Sequence, residues 1–161
     1  MPSLPIEVEC QLLYCLADFQ FGRGAGKALF PRNIDFTYSK YLNRPKTVFD
    51  SMGVIVTLST KTGLLVLSLE GAKRLHRKIK PPRLRVVVQS NVGEFIRAGK
   101  SVFCKHVRNM DKSLRPGDEV LIVDRSGHLL GYGRLVLPPD LALGLRRGVA
   151  AKVRGGLPLK E

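Results

Sequence analysis

Apolar and polar positions change their period twice along the chain. Ile6 to Phe19 are of helical residue types, and Pro5 ahead of Glu7 and Glu9 gives this segment an N-terminal signature: an early proline and acids where the helix dipole favours negative charge. Gly22, Gly24 and Gly26, with Arg23 and Lys27 interleaved, interrupt it. Ile34 to Ser39, Thr47 to Asp50, Gly53 to Ser59 and Leu64 to Ser68 are then short runs of Val, Ile, Thr, Phe and Tyr between turn residues, which predicts an antiparallel meander.

The helical period returns after Ser68, a natural N-cap. Ala72, Leu75 and Ile79 recur at spacings of three and four, with Lys73, Arg74, Arg77 and Lys78 on the other face. Pro81 and Pro82 end that helix and mark a domain boundary. Leu84 to Val88 is a buried type of strand. Asn91 and Glu94 are spaced as a capping pair for a short helix through Ala98, closed by Gly99. Ser101 to Val107, Glu119 to Asp124, Leu129 to Val136 and Val149 to Val153 are predicted strands, with a helical turn near Asp140 to Arg147. The second half is thus a strand-rich domain consistent with a small barrel.

Composition changes this picture in one respect. Twenty-seven Lys and Arg stand against thirteen Asp and Glu, a formal charge of +14 over 161 residues. The excess is shared, with twelve basic and six acidic residues over 1–80 and fifteen and seven over 81–161, so it is no basic tail on a neutral body. A compact protein tolerates that self-repulsion when a polyanion is its partner. An anionic membrane is a poorer fit, because no segment joins a wide apolar face to a basic one and no apolar run nears the roughly 18 residues of a span. The N-terminus lacks a leader pattern, so a cytoplasmic protein is expected. Cys10, Cys15 and Cys104 are odd in number without a CxxC pair, and read as core residues in a reducing compartment.

From residue 83 onward the chain resembles a PUA domain, the pseudobarrel shared by pseudouridine synthases and archaeosine transglycosylases. The resemblance is carried by GKSVFCKHV at 99–107, LRPGDEVLIVD at 114–124, GHLLGYGRLVL at 127–137 and RRGVAAKVRGG at 146–156. The first half is similar to the small domain before the PUA domain of archaeal tRNA-guanine transglycosylase, through ADFQFGRGAGKALFP at 17–31, LSTKTGLLVLSLEGAKRLH at 58–76 and PPRLRVVV at 81–88. The expected fold class is α+β: a small N-terminal α/β-meander domain over 1–81, a PUA pseudobarrel over 82–156 and a tail over 157–161. Archaeal origin is implied by the resemblance.

In PUA families the RNA lies against the first helix, the strand after it and the last strand, which here implies Lys100, Lys105, His106, Arg147, Lys152 and Arg154 as RNA-binding residues. The Lys and Arg among them would neutralise phosphates, with a steep salt dependence, without reading sequence. Phe95 matches an aromatic that wedges between tRNA bases in the transglycosylase; the alternative is that it packs inward with Val92 and Ile96. Lys73, Arg74, Arg77 and Arg83 belong to a basic run, continued by Lys78, Lys80 and Arg85, that is either a phosphate track or a solvated face. Gly117 before Asp118 suits a turn needing positive φ, and Gly131 and Gly133 suit close approach of another strand.

Other chemistry fails on residue types. GRGAGKA at 22–28 lacks the first Walker glycine, where Phe21 stands, and the hydroxyl that Ala28 replaces. Its amides could hold a tRNA phosphate, or the glycines could simply allow close packing. Cys104 and His106, two apart on a predicted strand, share a face but lack a second ligand pair. His76 and His128 have no partner that would make either a base. The family's paired aspartates and zinc ligands sit in a separate barrel, and Asp18, Asp35, Asp50, Asp111 and Asp118 occupy helix, strand-edge and turn contexts. No catalytic site, metal or other cofactor is expected. The sequence thus points to a non-catalytic module that binds structured tRNA and assists a separately encoded transglycosylase or archaeosine-synthesis enzyme. The alternatives are a ribosome-biogenesis factor whose PUA domain binds rRNA, and a non-catalytic subunit of a tRNA modification enzyme.

Overall fold

A computed structural model describes residues 6–159. Pro5, the predicted opening of the first helix, lies outside the described residues, as do the last two positions of the predicted tail. The chain divides into two compact units, Met1–Ile79 and Lys80–Glu161.

In the first unit, α1 (Ile6–Phe21) and α2 (Ala25–Leu29) precede a meander of β1 (Asp35–Tyr38), β2 (Pro45–Asp50), β3 (Gly53–Leu58) and β4 (Leu65–Leu67), followed by α3 (Leu69–Lys78). The four strands lie in chain order and pair antiparallel, as their spacing predicts. Leu13, Ala17 and Phe21, four residues apart, bring one face of α1 into a core with Leu29, Phe30, Val48, Ile55, Val56, Leu67, Ala72 and Leu75. The outer strand β4 is tied to α1: the Gln20 amide donates to the Leu65 carbonyl and accepts from the Leu65 N–H, both at 2.8 Å.

Three local expectations are corrected here. Gly26 is not in a loop but within α2. Glu9 is buried and accepts the Tyr38 hydroxyl at 2.8 Å, so a tertiary contact rather than the helix dipole accounts for it. Ser68 stands at the N-cap of α3, yet its hydroxyl makes no capping bond.

The second unit comprises β5 (Arg85–Val88), α4 (Gly93–Arg97), β6 (Val102–Phe103), β7 (Val107–Met110), β8 (Glu119–Val123), β9 (Leu129–Leu135), α5 (Pro139–Gly144) and β10 (Val149–Gly156). The sheet order is β6-β10-β9-β8-β5-β7, antiparallel except for the β5–β8 pair. Its two outermost strands, β6 and β7, are consecutive in sequence and separated only by a 3-10 turn at Cys104–His106. One turn of chain therefore links opposite edges of the sheet and curls it into a nearly closed pseudobarrel.

That closure corrects the strand predicted over Ser101 to Val107, because the chain must leave one edge there to reach the other. The predicted Asn91 and Glu94 capping pair is also not formed; Val92 is the N-cap of α4 and makes no side-chain cap. All five residues of β8 are buried, as expected of a strand covered on both faces. Gly117 has φ 94°, the left-handed turn its position before Asp118 predicts. At Gly133 on β9 a Cβ would collide with the Lys152 carbonyl of β10, so a side chain there would push apart two strands that close the barrel.

Candidate nucleic-acid interface

The closing turn builds a cleft. Asn91, Val92, Phe95 and Ile96 form one wall, Lys100, Ser101, Val102 and Phe103 the next, and Lys105 and His106 the last, around about 440 Å³. Val92, the N-cap of α4, and Ile96 within it are buried while Phe95 is 62% exposed, which decides between its two readings: the ring stands outside the core. Phe103 is 45% exposed on the same cleft, because alternation along β6 buries Val102 and turns its neighbour outward. The His106 ring meets Phe103 edge-on, centroids 6.5 Å apart. Two exposed phenyl rings beside two lysines match what an unpaired base and its phosphate require.

His106 is held by a relay. The Arg108 guanidinium, which can only donate, gives a 2.6 Å hydrogen bond to the Gln89 side-chain oxygen. That contact fixes the Gln89 amide so that its NH₂ faces Nδ1 of His106. The ring nitrogen there must accept, which leaves the imidazole neutral with its proton on Nε2. Burial, then the charges of Lys105 and Arg108, push the His106 pKa below its usual value in the same sense. His106, expected among the RNA-binding residues, lines this cleft, where a neutral ring offers a hydrogen bond from Nε2 rather than a charge.

The other expected contacts divide. Lys105 also borders a shallower cleft with Arg108, Leu143, Leu145 and Arg146. Arg147 and Lys152 are exposed but do not line the aromatic cleft, nor does Arg83, whose charge lowers the pKa of Asp111. Arg154, although exposed, is engaged within the domain: it binds Glu119 through both terminal nitrogens at 2.5 and 2.9 Å, and the carboxylate is buried. Arg74 does likewise, bound to Asp50 at 2.7 Å and Glu70 at 3.0 Å, so it is a structural ion pair rather than a free phosphate ligand. Arg85 of the basic run is buried in β5. Lys73 sits half-buried on α3, and Arg77 borders a cleft of the first unit.

The turn also separates Cys104 from His106. Cys104 is buried while His106 lines the cleft, so the two do not share the face of a strand, and burial raises the Cys104 thiol pKa. Among the described residues no group of three His, Cys, Asp or Glu could hold a metal ion, and no helix is long and apolar enough to cross a membrane. Three of the glycine-segment amides are engaged internally: Gly22 N–H donates to the Asp18 carbonyl at 3.0 Å, Ala25 N–H to the Gly22 carbonyl at 3.0 Å and Gly26 N–H to the Asp18 carboxylate at 2.7 Å. Of the two alternatives for this segment, close packing is the one supported, since a Cβ at Gly26 would meet the Tyr14 backbone at 2.8 Å.

Sequence reasoning missed Phe103, Asn91, Gln89 and Arg108. For Phe103 a signal existed, since Val102 and Cys104 are apolar positions that leave the residue between them on the outward side.

A pseudobarrel closed beneath an exposed aromatic cleft, preceded by a helix-and-meander domain, defines a two-domain PUA protein. The PUA domain model matches residues 84–157, and the model for the patch-forming domain C2 of tRNA-guanine transglycosylase matches residues 11–82. The chain belongs to the PUA-domain proteins, with the C2 and PUA domains of the C-terminal module of archaeosine-type tRNA-guanine transglycosylase. It is 42% identical over 142 residues to the tRNA-guanine(15) transglycosylase of Methanobrevibacter smithii, covering 88% of this chain and 22% of that protein. Against its counterpart in Pyrococcus furiosus the identity is 37% over 155 residues, 95% of this chain and 26% of that protein. The chain thus spans about a quarter of the length of these relatives. Among solved structures, a hypothetical protein of Pyrococcus horikoshii superposes with a TM-score of 0.71 at 16% identity, covering 94% of this chain and 92% of that one. A conserved PUA domain protein of Thermoplasma acidophilum gives 0.66 at 17% identity, covering 98% and 93%.

Proposed function

We propose that this chain is an RNA-binding module of tRNA modification, which grips folded tRNA and itself performs no chemistry. The observation that carries the reading is the convergence of Phe95, Phe103, Lys100, Lys105 and His106 on one cleft of a PUA domain. Exposed rings offer stacking to an unpaired base, and the lysines offer charge to its phosphate; neither requires a general base or a metal. The cation set is Lys100 and Lys105 first, with Lys152 and Arg147 as outer contacts, and without Arg74 or Arg154.

The relatives in which these two domains make up about a quarter of a tRNA-guanine(15) transglycosylase support tRNA as the ligand and a transglycosylase chain as the partner, and a cytoplasmic location goes with that reading. A pull-down from native extract is expected to recover such a chain.

The test is a titration of the protein against total folded tRNA and an unstructured RNA of equal length, each at low and near-physiological salt. Preference for tRNA that persists at the higher salt is expected. Equal affinity for both RNAs overturns the tRNA reading, and co-purification with pre-ribosomal particles instead of a transglycosylase would move the protein to ribosome assembly.

A further inference from the structure

We propose that the first unit carries a phosphate site of its own, between α2 and α3, for the backbone of a base-paired RNA stem. Lys27 and Ala28 of α2, Pro31 after it, and Arg74, Arg77 and Lys78 of α3 surround a cleft of about 230 Å³. Arg74 is its strut, not its ligand. Nε donates to Glu70 at 3.0 Å, one terminal nitrogen to the Leu29 carbonyl at 3.0 Å and the other to Asp50 at 2.7 Å, so one guanidinium joins α3 to the end of α2 and the end of β2. The cations beside it are thereby held in place before any ligand arrives, which lowers the ordering cost of binding.

Lys27, Arg77 and Lys78 are exposed, and among the described residues none of them is in an ion pair. Cations in a last helical turn offset the helix dipole, which accounts for each one singly. It does not account for three of them, from two helices, facing one cleft, where they repel one another unless an anion lies between. The lining also limits the anion. Its carbon-only side chains are Ala28 and Pro31, with no aromatic ring on which a base could stack. The fitting ligand is therefore a phosphodiester presented without its base, as on the outside of a stem. The inference takes the anion to be RNA and so rests on the proposed function above.

Binding of a short blunt-ended RNA duplex, and of the same duplex with an unpaired 3′ overhang, separates the two sites. Lys27→Ala/Arg77→Ala is expected to weaken binding to both duplexes alike and to flatten the dependence of log K on log salt by about one for each cation removed. Phe95→Ala is expected to weaken binding only where the overhang is present. The double variant should melt like the wild type, since both side chains are exposed. Unchanged affinity and salt slope on the blunt duplex overturn the site alone; a wild type that binds neither duplex overturns the RNA reading and the site together.

Discussion

Arg154 on β10 and Glu119 on β8 form a two-pronged ion pair, 2.5 and 2.9 Å, across the strand β9 that separates them in the sheet. The carboxylate is buried and the guanidinium only partly exposed, so losing the arginine removes the two-pronged partner of a buried charge. Arg154→Ala is expected to lower unfolding free energy by about 1–3 kcal/mol. Glu119→Gln should destabilise less, and the double variant less than the two effects added. Denaturant unfolding of the four proteins checks this; an Arg154→Ala protein of wild-type stability that has lost RNA affinity would return Arg154 to the binding surface.

Acid should attack the fold at two carboxylates. Burial raises the Asp50 pKa, but the hydrogen bond from Arg74 and the Met52 N–H outweigh it and hold the group below its ordinary value. At Asp111 burial is likewise overcome, by the Ser113 hydroxyl and N–H and the Leu84 N–H. A carboxylate with a depressed folded pKa contributes stability above its unfolded pKa, about 4, and loses it as pH falls through the folded value. Stability is therefore expected to be level from neutrality to about pH 5 and to fall below about pH 4, with a shallower fall in Asp50→Asn. An Asp50→Asn profile that tracks the wild type throughout excludes this pair as the acid-sensitive element.

Phe95 and Phe103 are exposed, so alanine at either should leave the melting temperature nearly unchanged. If each stacks on a base, each substitution costs about 1–3 kcal/mol of binding, roughly 5- to 150-fold. Titration of folded tRNA measures it. Loss at Phe95 but not Phe103 would reduce the stacking platform to a single ring.

The neutral His106 has a spectroscopic signature. Long-range proton–nitrogen correlation should give the pattern of a ring protonated at Nε2 at pH 7, and RNA affinity should not change between about pH 6.5 and 8, above the depressed His106 pKa. Gln89→Glu replaces a donor with a carboxylate acceptor, which favours an Nδ1–H and the charged ring, so that variant is expected to bind with a pH dependence the wild type lacks. A wild-type ring protonated at Nδ1 would sink the relay.

How much was legible in the sequence depended on range. The meander and β8 were, because β-branched runs between turn residues state their own structure. The exposure of Phe95 was not settled by spacing: it lies about 100° from Ile96 but, three residues after Val92, only about 60° from that residue, so the periodicity left both readings open. The turn at Cys104–His106 was not legible. Val102 and Cys104 alternate as in a strand right up to it and Val107 resumes one just after it, and the need to pass from one sheet edge to the other is a property of the whole barrel. The ion pairs were equally hidden: Arg74 meets Asp50 from 24 positions away and Arg154 meets Glu119 from 35, distances at which no local spacing rule operates.

Those two arginines change how mutational data on this chain should be interpreted. A survey replacing basic residues one at a time would find its losses of RNA retention at the free lysines and at Arg74 and Arg154 alike, for unrelated reasons. At the lysines the complex is weakened; at Arg74 and Arg154 there is less folded protein to form it. Only a paired record of soluble yield and affinity separates the two, and the formal charge of +14 overstates what the surface can offer a polyanion.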